Sequence, residues 1–307
     1  MTQPSAGSVS VANAPCSWGA LEFDLPGQGV NYATVLNEIR DTGYVGTELG
    51  DWGFMPTAPK ALRSELDSRG LLLVGAFVPV AFNQEEAYTD GEARALKTAR
   101  LMLEAVGDRP FIVLADDNGK DPVRTKLAGR VTPDKSLSPG EWEGYGERVN
   151  RIAGAIRRHT GLRSVFHHHC AGLVETPWEI EALLQATDPS LVGLCFDTGH
   201  YRFGGGKEPV KVLQRFRDRI WHVHFKDCSA KVHSQSHLQG WDYFESIKNA
   251  IFCQLGHGDV PFSEVIAALR QMEYRGWIVV EQDVLPGMGA PKEYARMNRE
   301  YLRQFGI

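Results

Sequence analysis

Two hydrophobic periods take turns along this chain. Short runs rich in β-branched and aromatic residues recur at 9–14, 46–49, 71–78, 111–114, 163–169, 191–196, 220–225 and 277–281, the pattern of buried strands. Between them the spacing turns helical. Val149, Ile152, Ala153 and Ile156 stand at i, i+3, i+4 and i+7, as do Phe262, Val265, Ile266 and Leu269. Ile180, Leu183 and Leu184 give a shorter stripe behind Pro177, whose fixed φ suits a first helical turn. A last helix is predicted over 291–304. Single strands alternating with single helices imply right-handed βαβ crossovers and a parallel sheet. Eight such units in 307 residues fit an α/β fold of the closed (β/α)8 type, a TIM barrel, better than an open doubly wound sheet.

No shift in composition marks a second domain, so the whole chain, 1–307, is expected to form one barrel domain. Two connections are long: 116–138 after the fourth strand and 228–260 after the seventh. Both leave the C-terminal ends of strands, the face on which such barrels build active sites. The second has room for an extra short helix at 241–250. The formal charge of −5 offers no basic surface to nucleic acid. The longest apolar run, 71–82, is about 12 residues, too short to cross a bilayer, so no membrane partner is expected. The opening MTQPSAGSVS has neither a basic n-region nor an apolar h-region. Cys16, Cys170, Cys195, Cys228 and Cys253 are odd in number and include no CxxC pair. That argues against a disulfide framework or thiolate zinc, and for a reducing, cytoplasmic setting.

Residues able to do chemistry gather at the strand ends. The second strand ends near Glu48, the fifth in His167, His168 and His169, and the sixth in Asp197 followed by His200. The seventh carries His222, His224, Lys226 and Asp227, and the eighth Glu281 and Asp283. Six of the ten histidines fall in these windows, more than packing explains. Such a rim, with oxygen and nitrogen donors and no thiolate, suits a divalent cation. The strand period of two puts His222 with His224, and His167 with His169, on one face. Asp197 stands before a Thr-Gly turn, at the strand tip. Glu281 follows three apolar residues, where a carboxylate is costly unless paired or on a metal.

Blander readings exist for each. Glu281 can be an ion-pair partner, His-x-His a packing pair, Asp197 an Asx-turn residue, and Lys226 with Asp227 an inter-strand salt bridge. The shared level of these residues in one barrel favours the metal. Gly204-Gly205-Gly206-Lys207 lacks phosphate-loop spacing and reads as a flexible loop. Gly256-His257-Gly258-Asp259 reads as a plain turn, with approach to a substrate oxygen or phosphate as the alternative.

The strand ends Phe-Asp-Thr-Gly-His, His-Val-His-Phe-Lys-Asp, Gly-His-Gly-Asp-Val-Pro-Phe and Val-Val-Glu-Gln-Asp resemble the xylose-isomerase-like barrel superfamily of sugar isomerases and epimerases. The resemblance spans nearly the whole chain. Within that group, the opening Asn-Ala-Pro-Cys-Ser-Trp-Gly, the Gly-Tyr-Val-Gly-Thr-Glu-Leu-Gly turn and the His-His-His run followed by Val-Glu-Thr resemble inosose dehydratases, which convert 2-keto-myo-inositol to a diketone by losing water. The resemblance implies Asp197, His224 and Glu281 as metal ligands and His200 as a substrate-binding histidine. His222, on the same strand face as His224, and Trp18 are further candidates for substrate contact. The family's fourth ligand is a Glu in a Glu-x-His pattern on the fifth strand. Here His167 stands at the Glu position and His169 at the His position. Either of them, Glu175 a turn later, or water then completes the shell. Extra nitrogen favours manganese or cobalt over magnesium, with zinc also compatible.

The implied reaction starts from a hydroxy-ketone that chelates the cation, which stabilises the enolate formed as the α-proton leaves. Glu281 or Glu48 takes that proton, and His169, His200 or Lys226 protonates the departing β-hydroxyl. The expectation is a metal-dependent hydro-lyase acting on a keto-polyol. A ketose 3-epimerase or sugar isomerase is the alternative, because it shares the first half of the reaction. The expected partner is a small sugar or cyclitol, and a homo-oligomer is compatible. A DNA-repair endonuclease of the same superfamily needs several metals and a basic groove, against which the charge argues.

Overall fold

The computed structural model describes residues 9–20, 30–285 and 287–307; residues 1–8, on which the leader expectation rested, lie outside them. Eight parallel strands close a barrel. They are β1 (Ser10–Asn13), β2 (Gly46–Glu48), β3 (Leu72–Val80), β4 (Phe111–Asp116), β5 (Arg163–His167), β6 (Val192–Asp197), β7 (Ile220–Phe225) and β10 (Trp277–Val280). A separate antiparallel hairpin of β8 (Asp227–Cys228) and β9 (Phe252–Cys253) stands between the last two. β10 closes the ring on β1, with Ser10 opposite Trp277 and Asn13 opposite Val280.

Parity along each strand sorts the side chains. Leu194, Phe196, Val223, Phe225, Ile278 and Val280 join the apolar layer that holds the helical stripes of Val149, Ile152, Ile156, Val265 and Leu269. The alternate positions turn inward. Phe111, Val113, Val165 and Cys195 pack together there, as do Ala12, Val74 and Val279. Nearer the C-terminal ends, the same inward parity carries carboxylates and imidazoles. Pro59, Pro122, Pro139, Pro177, Pro209 and Pro291 each open a helix, where the missing N–H costs nothing.

The fifth strand stops at His167 instead of running to residue 169. A turn intervenes: the His169 N–H donates to Val174 O and the Gly172 N–H to His169 O, and Ala171 takes a left-handed φ of 66°. The first long connection holds the helix Pro122–Leu127. The second holds the expected short helix, Tyr243–Lys248, and an unexpected one, Ala230–Gln239. The latter reads AKVHSQSHLQ and offers no apolar stripe to detect.

Asp227 folds the base of that second connection. Its carboxylate accepts the N–H groups of Cys228 (2.8 Å), Gly256 (2.8 Å), Gly258 (2.9 Å) and Val260 (3.2 Å). A Cβ at Gly258 would overlap both Asp227 Oδ1 and Cys228 O. The Gly-His-Gly-Asp segment is therefore a turn built around Asp227, which is why neither reaches toward the barrel mouth. No disulfide joins the five cysteines. Among the described residues, no helix is long and apolar enough to cross a membrane.

Candidate metal centre

Four side chains from four strand ends converge at the C-terminal mouth. His167 ends β5, Asp197 ends β6, His224 lies on β7 and Glu281 follows β10. His167 Nε2 is 3.5 Å from Asp197 Oδ2. His224 Nδ1 is 3.9 Å from the same oxygen and 3.3 Å from Glu281 Oε1. All four donor atoms lie within 4.8 Å of one another. Ligands about 2.1 Å from one ion stand roughly 3.0–3.4 Å apart when adjacent and about 4.2 Å when opposite, so this spacing suits a single ion.

Asp197 is set by the helix it caps, Thr198–Phe203. Its Oδ1 accepts the His200 N–H at 2.7 Å, while Oδ2 is buried with no hydrogen-bond partner. His167 Nε2 and His224 Nδ1 are also buried with none. Buried polar atoms are normally satisfied. Three that meet at one spot and find no protein partner form a donor set that fits a cation.

Charge agrees with geometry. Glu48, Asp197, Glu281 and Asp283 are all buried here against one buried ammonium, that of Lys226. Lys226 Nζ stands 3.3 Å from Glu281 Oε2 and 3.1 Å from Asp283 Oδ1. Such a surplus of negative charge in a low-dielectric mouth is costly unless a cation offsets it. Proton affinities report the same preference. Burial pushes His224 down, yet Cys195, Glu281 and Glu48 outweigh it and hold the ring well above its usual range. Burial would raise Glu281, but His224 and Lys226 hold it well below the carboxylate range. Burial lifts Asp197. His167, desolvated and beside His224, drops to about 3, so its ring is neutral and can ligate.

Above the cluster opens a narrow cavity of about 50 Å³ lined by Glu48, His167, His169, His224, Lys226 and Glu281, with Asp51, Phe77 and Asp283 on its walls. His169 does not offer the fourth donor: its Nδ1 donates to Cys170 O at 2.6 Å, and its Nε2 is 3.3 Å from Tyr243 Oη. Glu175 turns away to accept the Gly129 and Ala171 N–H groups at 2.7 and 2.8 Å. Of the three side chains considered for the fourth position, His167 is the one the fold brings to the cluster.

His200 and His222 sit behind the cavity wall. His200 Nδ1 accepts the Cys170 N–H at 3.2 Å, and its Nε2 is 3.2 Å from Lys226 Nζ. His222 Nε2 donates to Glu48 Oε1 at 2.8 Å. Trp18 is not at the mouth. Its indole is buried in the strand–helix layer and donates to Glu38 Oε2 at 2.7 Å, because the large ring finds both cover and an acceptor against the helix Tyr32–Asp41. Asp283 was given no role, although counting two residues on from Glu281 would have placed it on the same face. Nothing local marks Tyr243, which arrives from the long second connection.

The family described as xylose isomerase-like TIM barrel matches residues 40–305. An inosose dehydratase of Geobacillus kaustophilus is 33% identical over 293 residues, covering 94% of this chain and 92% of the relative. The rhizopine catabolism protein MocC of Rhizobium meliloti is 32% identical over 296 residues, covering 96% and 88%. Among solved structures, the probable 3-DHS dehydratase AsbF of Bacillus anthracis superposes with a TM-score of 0.68 at 15% identity, over 96% of this chain and 99% of that one. This last likeness is one of fold.

Proposed function

The chain belongs to the xylose isomerase-like TIM barrel family, and from that premise we propose that it is a metal-dependent hydro-lyase removing water from a keto-polyol such as 2-keto-myo-inositol. The observation that carries this reading is the meeting of His167, Asp197, His224 and Glu281 at one point beneath the cavity at the barrel mouth. The Geobacillus relative, an inosose dehydratase, supports the substrate class. Two imidazoles and two carboxylates suit manganese or cobalt, with magnesium or zinc also accommodated. Such a cation, when bound, supplies Lewis acidity to a carbonyl and its neighbouring hydroxyl.

The chain's own groups handle the protons. Glu281, one oxygen toward His224 and the other toward Lys226, is kept ionised and takes the proton from the carbon beside the carbonyl. Burial works against the Lys226 ammonium, but Asp283 and Glu281 hold it charged. It donates to the oxygen of the departing hydroxyl, where negative charge grows. His169, neutral and braced by Tyr243 and Cys170 O, gives the polyol a fixed wall.

The test is to incubate manganese- or cobalt-loaded protein with 2-keto-myo-inositol and follow the diketone absorbance. Turnover should vanish with a chelator and in Glu281→Gln. Epimerisation of free ketohexoses with no dehydration would replace this reading by the epimerase one, and inactivity on both would reject the enzyme.

A further inference from the structure

Glu48 is the buried carboxylate that the four-residue cluster does not use. It ends β2 and its Oε1 faces two rings of β7, with His222 Nε2 at 2.8 Å and His224 Nε2 at 3.1 Å. An ionised carboxylate only accepts, so each ring must present an N–H. For His224 that places a proton on Nε2. Nδ1 faces the cluster, 3.3 Å from Glu281 Oε1 and 3.9 Å from Asp197 Oδ2, so its proton is the one a cation would displace. The neighbouring strand leaves room for this grip, with Gly75 paired to Glu48. At Gly75 of β3, a Cβ would stand 2.7 Å from Glu48 Oε1 and 3.1 Å from its Cδ.

We propose that Glu48 is a positioning residue that selects the tautomer and ring orientation with which His224 meets a divalent cation, and that it does not take a proton from substrate. This role rests on the metal reading of the four-residue cluster. His222 completes it by holding the same oxygen, so the carboxylate has two fixed donors and little freedom to swing into the mouth. A carboxylate behind a ligating imidazole typically changes metal affinity by about 10–100-fold.

The experiment uses the full chain and Co²⁺ alone, read by calorimetry and by the visible absorption of the bound ion, with ¹⁵N NMR of the histidine rings. The wild type should bind Co²⁺ and, with the ion bound, show His224 protonated on Nε2 alone. Glu48→Gln keeps the shape but loses the charge. It should weaken Co²⁺ binding about 10-fold or more, alter the visible band and mix the His224 tautomers. Gly75→Ala keeps the charge but displaces the carboxylate, and should weaken binding in the same direction. Unchanged Co²⁺ affinity and band in a folded Glu48→Gln that has lost turnover would overturn the proposal and make Glu48 a proton-transfer group. Wild-type His224 protonated on Nδ1 with the ion bound would overturn it without any variant. A wild type that binds no Co²⁺ would instead remove the metal reading itself, and the role of Glu48 with it.

Discussion

Replacing Arg124 with Met probes how the turn behind His169 is held. Arg124 lies in the helix Pro122–Leu127 and is 1% exposed. Its guanidinium meets both Glu179 oxygens at 2.8 Å, donates from Nε to Gly172 O at 2.8 Å, and reaches Lys135 O at 3.2 Å. Glu179 in turn accepts the Glu175 and Thr176 N–H groups, each at 3.0 Å. One side chain thus joins the first long connection, the turn after β5 and the start of the helix Pro177–Ala186. Met fills much of the volume but leaves Glu179 ionised and buried. Breaking a buried pair from one side costs about 3–5 kcal/mol, against a total stability on the order of 5–15 kcal/mol. At about 2 °C per kcal/mol for a chain of this size, the melting midpoint should fall by roughly 6–10 °C. Urea unfolding would give the free energy directly. The double variant Arg124→Met with Glu179→Gln should recover part of the loss, because no carboxylate is then stranded. A single variant within about 1 kcal/mol of wild type, or a double variant no better than the single, would refute a charge-based account.

Two further outcomes follow from the site and its surroundings. Mn²⁺ or Co²⁺ at about 100 times its Kd should stabilise the wild type by roughly 2.7 kcal/mol, seen as a raised melting midpoint that a chelator reverses. Asp197→Asn should lose most of that gain, and an equal gain would place the ion elsewhere. Asp116 is pushed up to about 6 by burial, against the pull of the Leu173 N–H and the Tyr145 hydroxyl. A carboxyl raised in the folded state contributes stability that is complete below its ordinary 3.8 and is lost as pH rises through about 6, roughly 3 kcal/mol in all. Urea midpoints at about pH 4 and about pH 7 should therefore fall less in Asp116→Asn than in wild type. Equal falls would show that Asp116 does not titrate in this window.

Periodicity located the eight barrel strands because a strand buried on both faces writes a short apolar run into the sequence. The meeting of Asp197, His224 and Glu281 was also legible. Parity fixes which face each occupies, and a closed parallel barrel brings all the C-terminal tips to one level. Parity held even past the end of the strand: β5 stops at His167, yet His169 lines the same cavity, the two rings 5.6 Å apart; what parity does not say is that His169 Nδ1 goes to Cys170 O and not to the cluster. Contacts chosen across space were not legible. Arg124 and Glu179 are 55 residues apart, and Trp18 and Glu38 are 20 apart. Any buried acceptor would serve either donor, and a local pattern does not say which one the fold supplies. The helix Ala230–Gln239 escaped notice for a related reason, since it is held by its neighbours and not by an apolar stripe of its own.

The carboxylate of Asp227 gathers N–H groups from both ends of the 229–255 excursion, and so pinches it shut at its root. The body of the segment is anchored as well as its root, since Tyr243, Ile247, Ile251 and Phe252 pack against Cys170, Ala171 and Phe203. Tied at both levels, the excursion acts as a fixed buttress that brings Tyr243 to His169 from more than 70 residues away along the chain.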